Sequence, residues 1–355
     1  MIDQRLEELL RMMVDERASD LHLGVNIPPY FRIDEKLIPI RKEALDSKTV
    51  KEFAYSLLNE KQRERFELEK ELDMSFEIEG LSRFRANLFY QRGNIGIAIR
   101  ALPYHIMSLQ ECGLPQDIIE GLISKPKGLI LVTGATGSGK STTLAAMIEK
   151  INQERACHIV TIEDPIEYVY KNKKAIIDQR EVGSDTHSFS HALKHVLRQD
   201  PNVILIGEMR DLETIESALN IAETGHLVLS TLHTSDAVQT INRIIDVFPE
   251  YKQNQVRVQL SFVLLAVLSQ QLIPRLGGKG RVLALEILIA NHAVRSLIRD
   301  AKIHQIYSVI QTSQKEGMCT MNQSLYELYI NKMIKLEDAF SRTLDPDDLK
   351  RLIEK

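Results

Sequence analysis

Gly134-Ala135-Thr136-Gly137-Ser138-Gly139-Lys140-Ser141 decides the fold of this chain. The stretch satisfies G-x-x-x-x-G-K-[ST] in full and runs on into Thr142-Thr143-Leu144. An apolar run at 129–133 precedes it and reads as a strand, and a helix is expected from Lys140. Chemistry explains the composition. Glycines let backbone N–H groups turn inward and approach phosphate oxygens closely, and a helix N-terminus adds positive potential at the same place. Lys140 is placed to reach the β- and γ-phosphates, and the Ser141 hydroxyl to ligate Mg2+. Gly134, Thr136, Gly137, Ser138, Gly139 and Thr142 complete the expected nucleotide-binding loop. A glycine-rich structural turn is the alternative; the Lys-Ser pair and the flanking pattern argue against it.

Downstream of the loop, short continuous apolar runs alternate with helical patterns, at 159–162, 203–206, 227–229 and 282–289. Continuous runs between helices read as buried parallel strands, hence an α/β core. Residues 291–355 read mostly as helices. Upstream the character differs. Leu6, Leu9, Leu10, Met13 and Val14 predict an amphipathic helix over 3–17. Strand patterns follow at 21–23 and 30–40, the second broken near Asp34-Glu35 as a hairpin turn. Residues 48–70 read as helical and charged. Alternation at Leu72, Met74, Phe76 and Ile78, then at Phe84, Ala86, Leu88 and Tyr90, predicts an antiparallel sheet. The pattern fades around Leu102-Pro103. The expected organisation is an α+β domain over 1–100, a linker over 101–112, a nucleotide-binding core over 113–290 and a helical region over 291–355.

Two of the core strands end in acids. Val203-Ile204-Leu205-Ile206-Gly207-Glu208 has the shape of a Walker B segment, which brings Glu208 to the sheet edge that faces the ligand crevice. Ile159-Val160-Thr161-Ile162-Glu163-Asp164-Pro165 is the second. An acid there accepts a proton from an attacking water or orders it through Mg2+, or is simply solvated. His226 and His233 bracket the run at 227–232. They read as a zinc pair without a third ligand, as ordinary core or surface histidines, or, for His233, as a γ-phosphate contact. Arg83, Arg85, Arg92 and Arg100 fall on the alternating strands of 82–100. Arg85 and Arg100 are candidate phosphate contacts from a neighbouring domain or subunit, since the guanidinium fork suits phosphate oxygens; a salt-bridged sheet face is the alternative.

Composition narrows the class. At 355 residues, with 44% hydrophobic and 26% charged residues, the chain buries a real core in two domains, which excludes disordered and fibrous classes. Forty-five basic against 49 acidic residues give a net charge of −4, so no nucleic-acid partner is expected. Three scattered cysteines, Cys112, Cys157 and Cys319, argue against a disulfide framework or a four-cysteine zinc site. The first residues lack the pattern of a signal peptide, and the longest apolar stretch, 260–268, is too short to span a bilayer. A cytoplasmic protein is expected.

Four ordered motifs then carry a resemblance over essentially the whole chain. Residues 134–141 are similar to the Walker A loop of the secretion ATPases of type II secretion and type IV pilus systems. Thr161-Ile162-Glu163-Asp164-Pro165-Ile166-Glu167 is similar to their Asp box, 203–214 to their Walker B region, and 222–234 to their His box. Ala18-Ser19-Asp20-Leu21-His22-Leu23 resembles their N-terminal signature. The resemblance implies a PAS-like N-terminal domain, a RecA-like P-loop ATPase domain with C-terminal helices, and a homohexamer with ATP between subunits. It implies Glu163 as the water-activating base, Glu208 as the Mg2+-site acid, His226 and His233 as nucleotide-sensing residues, and Arg85 and Arg100 as contacts made in trans. It also implies work at an inner-membrane pilus platform protein, hence a peripheral position at the inner membrane. Assembly-type members usually carry a further N-terminal domain and four cysteines, so the retraction branch of twitching motility fits best. Ala293-Val294-Arg295-Ser296-Leu297-Ile298-Arg299 is similar to that branch's A-I-R-N-L-I-R motif. Val294 and Ser296 depart from it and keep an accessory retraction paralogue, or cooperation with one, in play. From other classes, a RecA-like nucleic-acid translocase is opposed by the charge, and a non-hydrolysing scaffold by the joint presence of Lys140, Glu163 and Glu208.

Overall fold

The computed structural model describes residues 2–354 apart from 17, 34–35, 41–42, 103–105 and 279. The chain forms two compact units, one from the residues up to 105 together with Glu167–Val169, the other from the rest.

The first unit opens on the helix Gln4–Asp15, capped by the Asp3 side chain, which accepts from the Arg5 backbone N–H at 2.9 Å. Its Leu6, Leu9, Leu10 and Met13 share one buried face, as their spacing requires. Six strands follow: β1 (Asp20–Leu23), β2 (Tyr30–Ile33), β3 (Lys36–Pro39), β4 (Glu71–Ile78), β5 (Ser82–Gln91) and β6 (Asn94–Ala101). They form one antiparallel sheet in the order β3-β2-β1-β6-β5-β4. On β5, Phe84, Ala86 and Leu88 are buried while Arg83, Arg85 and Asn87 alternate to the other face. This is the α+β, PAS-like arrangement expected. The helical pattern at 48–70 is two helices, Ser47–Leu57 and Glu60–Glu69. Asn59 breaks it: its side chain accepts from Gln62 N–H while the Gln62 side chain returns to Asn59 N–H, a capping box that starts a new helix. The expected turn at Asp34-Glu35 lies outside the described residues.

The second unit holds β7 (Gly128–Thr133), β8 (His158–Glu163), β9 (Ile176–Glu181), β10 (Val203–Ile206), β11 (Leu227–Leu232), β12 (Leu264–Pro274) and β13 (Arg281–Ile289). The sheet order is β13-β12-β7-β11-β10-β8-β9. All pairings are parallel except β12 with β13. The expectation of a parallel strand at 282–289 is therefore corrected: β13 is an antiparallel edge joined to β12 by a short turn, and an apolar run carries no sign of its direction. Every residue of β7, β10 and β11 is buried, as strands covered on both faces must be. The chain ends in helices that include His292–Arg299, Ile306–Thr312, Met321–Ile330, Leu336–Arg342 and Pro346–Ile353.

One guanidinium ties this unit together. Arg295 donates to the carbonyls of Ser261 (2.7 Å), Phe262 (2.8 Å), Leu264 (3.1 Å) and Ala290 (2.8 Å). These oxygens belong to the C-terminal end of the helix Glu250–Val263, the start of β12 and the residue that follows β13. The cation thus satisfies carbonyls that the helix leaves without partners.

Candidate nucleotide site

The loop after β7 is built around one glycine and one lysine. Gly134 has φ 138°, and a Cβ there would stand 2.4 Å from the Gln270 carbonyl oxygen and 2.6 Å from Ser138 Oγ. Only glycine fits. β12 supplies this close wall, and Thr133 Oγ1 donates to Ser269 Oγ at 3.0 Å to hold it there. Gly139 has φ 90° and leads into the helix Lys140–Glu154. The buried Lys140 donates through Nζ to the carbonyls of Gly134 at 2.8 Å and Ala135 at 3.1 Å, so the loop curls over an ammonium. Thr136 and Gly137 are exposed at the loop's rim, and Ser141 and Thr142 are half-buried on the first turn of the helix. Ser138 Oγ is buried with no hydrogen-bond partner among the described residues. A buried cation, an orphaned hydroxyl, a backbone cradle and a helix N-terminus together fit a phosphate group.

The sheet register places the acids and histidines. Leu232 pairs with Thr133, so the next residue, His233, stands beside Gly134. Ile206 pairs with Ile162, which sets Gly207 opposite Glu163 and Glu208 one step beyond. Three bonds fix that end of β10: Gly207 N–H to the Ile162 carbonyl (2.8 Å), Met209 N–H to the Thr231 carbonyl (3.1 Å) and Thr231 Oγ1 to the Gly207 carbonyl (2.7 Å). Glu208 Oε1 then lies 3.3 Å from His233 Nε2 and 2.7 Å from Arg210 Nε. This carboxylate raises the Arg210 pKa above its ordinary value. Glu163 is buried, and its Oε1 accepts from Thr161 Oγ1 at 2.7 Å and Gln179 Nε2 at 3.3 Å. Strand order sets the lateral distances: β10 is two strands and β8 three strands from β7, about 10 and 14 Å at the usual spacing.

His226 is not brought into this group. It precedes β11, where its Nδ1 lies 3.1 Å from the Ile221 carbonyl, about 20 Å from His233 along the strand. The two histidines therefore cannot share one ion within this unit. Among the described residues no three His, Cys, Asp or Glu side chains are arranged to hold a metal. Arg85 and Arg100 belong to the first unit, directly opposite each other on β5 and β6. Arg85 Nη2 is 3.9 Å from Asp73, and Arg100 Nε donates to Asp20 at 2.8 Å.

The chain matches the type II/IV secretion system protein family over residues 1–338. It belongs to that family. Among family relatives, the type IV pilus retraction ATPase PilT of Pseudomonas aeruginosa is 46% identical over 343 residues, covering 97% of this chain and 99% of that protein. The type IV pilus ATPase PilU of the same organism is 41% identical over 348 residues, covering 98% and 91%. The crystal structure of the pilus retraction motor PilT with bound ADP matches with a TM-score of 0.92 and 51% identity, covering 97% of this chain and 98% of that one. The fold is thus the family's two-part arrangement.

Sequence reasoning overlooked several side chains that touch the candidate residues. Thr161 faces Glu163 because residues two apart on a strand share a face. Arg210 follows Glu208 by two residues and was visible on the same ground. Gln179 comes from β9, a strand that hydropathy did not reveal, and Asp20 reaches Arg100 only through the register of β1 with β6.

Proposed function

We propose that this chain is the ATP-hydrolysing motor subunit that retracts type IV pili in twitching motility, acting as a homohexamer. The observation that carries the proposal is the full-length likeness to PilT in sequence and fold, joined to a loop shaped for phosphate. ATP is the substrate. Lys140 neutralises its β- and γ-phosphates, and the N–H groups of 134–142 with the Ser138 hydroxyl bind their oxygens. Ser141 and Glu208 would hold Mg2+, their hydroxyl and carboxylate being the oxygen donors that ion takes. When bound it offsets charge that develops between the β- and γ-phosphates. Glu163, oriented by Thr161 and Gln179, takes a proton from the attacking water. His233, beside both Gly134 and Glu208, senses whether a γ-phosphate is present. His226, on the opposite sheet edge, would serve a neighbouring subunit.

In this reading residues 1–100 form a clamp arm, 101–112 its linker, 113–290 the ATPase core and 291–355 the helical region. Arg85 and Arg100 reach the nucleotide of the next subunit, and loss of the γ-phosphate releases them. The motor docks on the inner-membrane platform protein of the pilus from the cytoplasmic side. Consistent with docking rather than spanning, no helix among the described residues is long and apolar enough to cross a membrane.

The test is genetic. A host lacking the protein should show excess surface pili and no twitching, restored by wild type and not by Lys140→Ala. Bald cells would assign the motor to assembly instead. Twitching that persists until a paralogue is also removed would assign it the accessory role that Val294 and Ser296 keep in play.

A further inference from the structure

The N-terminal signature Ala18-Ser19-Asp20-Leu21-His22-Leu23 spans β1 and contributes no residue to the phosphate loop. The sheet register brings its Asp20 to two arginines. Asp20 pairs with Arg32 on β2 and with Arg100 on β6, and Arg100 pairs with Arg85 on β5. Residues directly opposite one another point to the same face. The row Arg32, Asp20, Arg100, Arg85 therefore lies across the face opposite the apolar row Phe31, Leu21, Ile99, Ala86, whose members are buried. It carries three guanidinium groups and one carboxylate, and Asp73 of β4, 3.9 Å from Arg85, brings the cluster to a net charge of 3 − 2 = +1.

Such a cluster holds more positive than negative charge. Arg85 and Arg100 are like charges at directly paired positions, an arrangement that destabilises a sheet unless an anion joins it. Asp20 is the fixed point. It is buried, accepts from Ser19 Oγ at 2.8 Å and Arg100 Nε at 2.8 Å, and lies 3.6 Å from Arg32 Nε. Arg100 is gripped through Nε, so its two terminal nitrogens stay clear of the carboxylate. Among the described residues they make no hydrogen bond, and the side chain is largely exposed. A guanidinium held by one edge presents its other edge, which is the bidentate geometry that phosphate oxygens take.

We infer that Asp20 is the positioning residue that aims Arg100 at a phosphate group, with Arg32 completing the same anion-binding row. This rests on the reading of Arg100 as a contact to the nucleotide of a neighbouring subunit.

The test is a double-mutant cycle on the full-length assembled protein, following Mg-ATP turnover against ATP concentration. Asp20→Asn is isosteric, keeps one acceptor oxygen and removes the charge. It should lower kcat about 10- to 100-fold, the range for a misaimed group, with KM unchanged within about threefold. In an Arg100→Ala background the same change should have no further effect, because its target is gone. Arg100→Lys should be as impaired as Arg100→Ala, since an ammonium has no second edge to present; that variant decides the matter if Asp20→Asn fails to fold. An undiminished effect of Asp20→Asn in the Arg100→Ala background would make Asp20 merely structural and overturn the inference. Normal turnover in Asp20→Asn beside impaired Arg100→Ala would overturn it alone. Normal turnover in Arg100→Ala would overturn the trans-arginine reading and the inference with it.

Discussion

Replacing Glu163 with glutamine separates binding from turnover. The wild-type carboxylate accepts from Thr161 Oγ1 at 2.7 Å and Gln179 Nε2 at 3.3 Å. A glutamine oxygen can hold the same position and keep both bonds, so the local geometry survives. The amide cannot take up a proton. A positioned general base contributes about 10²- to 10⁴-fold in rate, so the barrier should rise by about 3–5 kcal/mol, at 1.36 kcal/mol per tenfold. Affinity for ATP resides in the loop at 134–142, three strands away, and should change by less than about threefold. The amide N–H groups, newly buried, cost about 1–3 kcal/mol of stability, to be checked by a thermal melt. The assay pairs steady-state phosphate release with equilibrium binding of a fluorescent nucleotide. Turnover within tenfold of wild type, with the variant folded and binding, would remove Glu163 from the base role.

Three further outcomes are expected. Gly134→Ala should abolish measurable ATP binding and lower the melting temperature, because its methyl would meet the Gln270 carbonyl oxygen at 2.4 Å at a φ of 138°, a strain of at least about 2 kcal/mol; normal binding would refute the cradle. Arg295→Ala should cost about 3 kcal/mol by stranding four carbonyls, and Arg295→Lys should recover little of it; a melting temperature unchanged in either variant would refute the tie. Glu286 is buried beside the Ala237 N–H at 2.8 Å, and burial pushes its pKa up to about 7. An unfolded glutamate releases its proton near about pH 4.3, so the folded state holds more protons across that window and stability falls as pH rises through it. Relative to Glu286→Gln, the wild type should therefore lose about 3 kcal/mol between pH 4 and pH 7 and level off above; parallel pH profiles would contradict this.

The features legible in the sequence are those set by neighbours along the chain. The phosphate loop is one contiguous pattern, and the strands at 129–132, 159–162, 203–206 and 227–229 are apolar because both faces are covered. β12 escaped because the apolar stretch at 260–268 contains the end of the helix Glu250–Val263 and the start of a strand with no glycine or proline between. What divides them is Arg295, some thirty residues on, holding the carbonyls where the helix stops. β9 escaped because Asp178, Gln179 and Arg180 interrupt its hydropathy, as an edge strand allows. The distance between His226 and His233 follows from the six-residue strand they bracket. The contact of Asp20 with Arg100 spans eighty positions and depends on register alone.

The contact of Gly134 with Gln270 fixes an order of events during synthesis. The phosphate loop is complete in the chain once Ser141 is made, but its wall and the hydroxyl that pins Thr133 arrive only with β12. At ordinary translation rates the ribosome takes roughly 7 to 27 seconds to travel from one to the other. Until β11 is made both edges of the buried strand β7 are open, and from then until β12 is made one edge remains open. A nascent chain in this window has the loop sequence without its finished site, so ATP cannot reward folding early. Nucleotide binding reports a chain translated past residue 270, and the flank of β7 is where a molecular chaperone has most to protect.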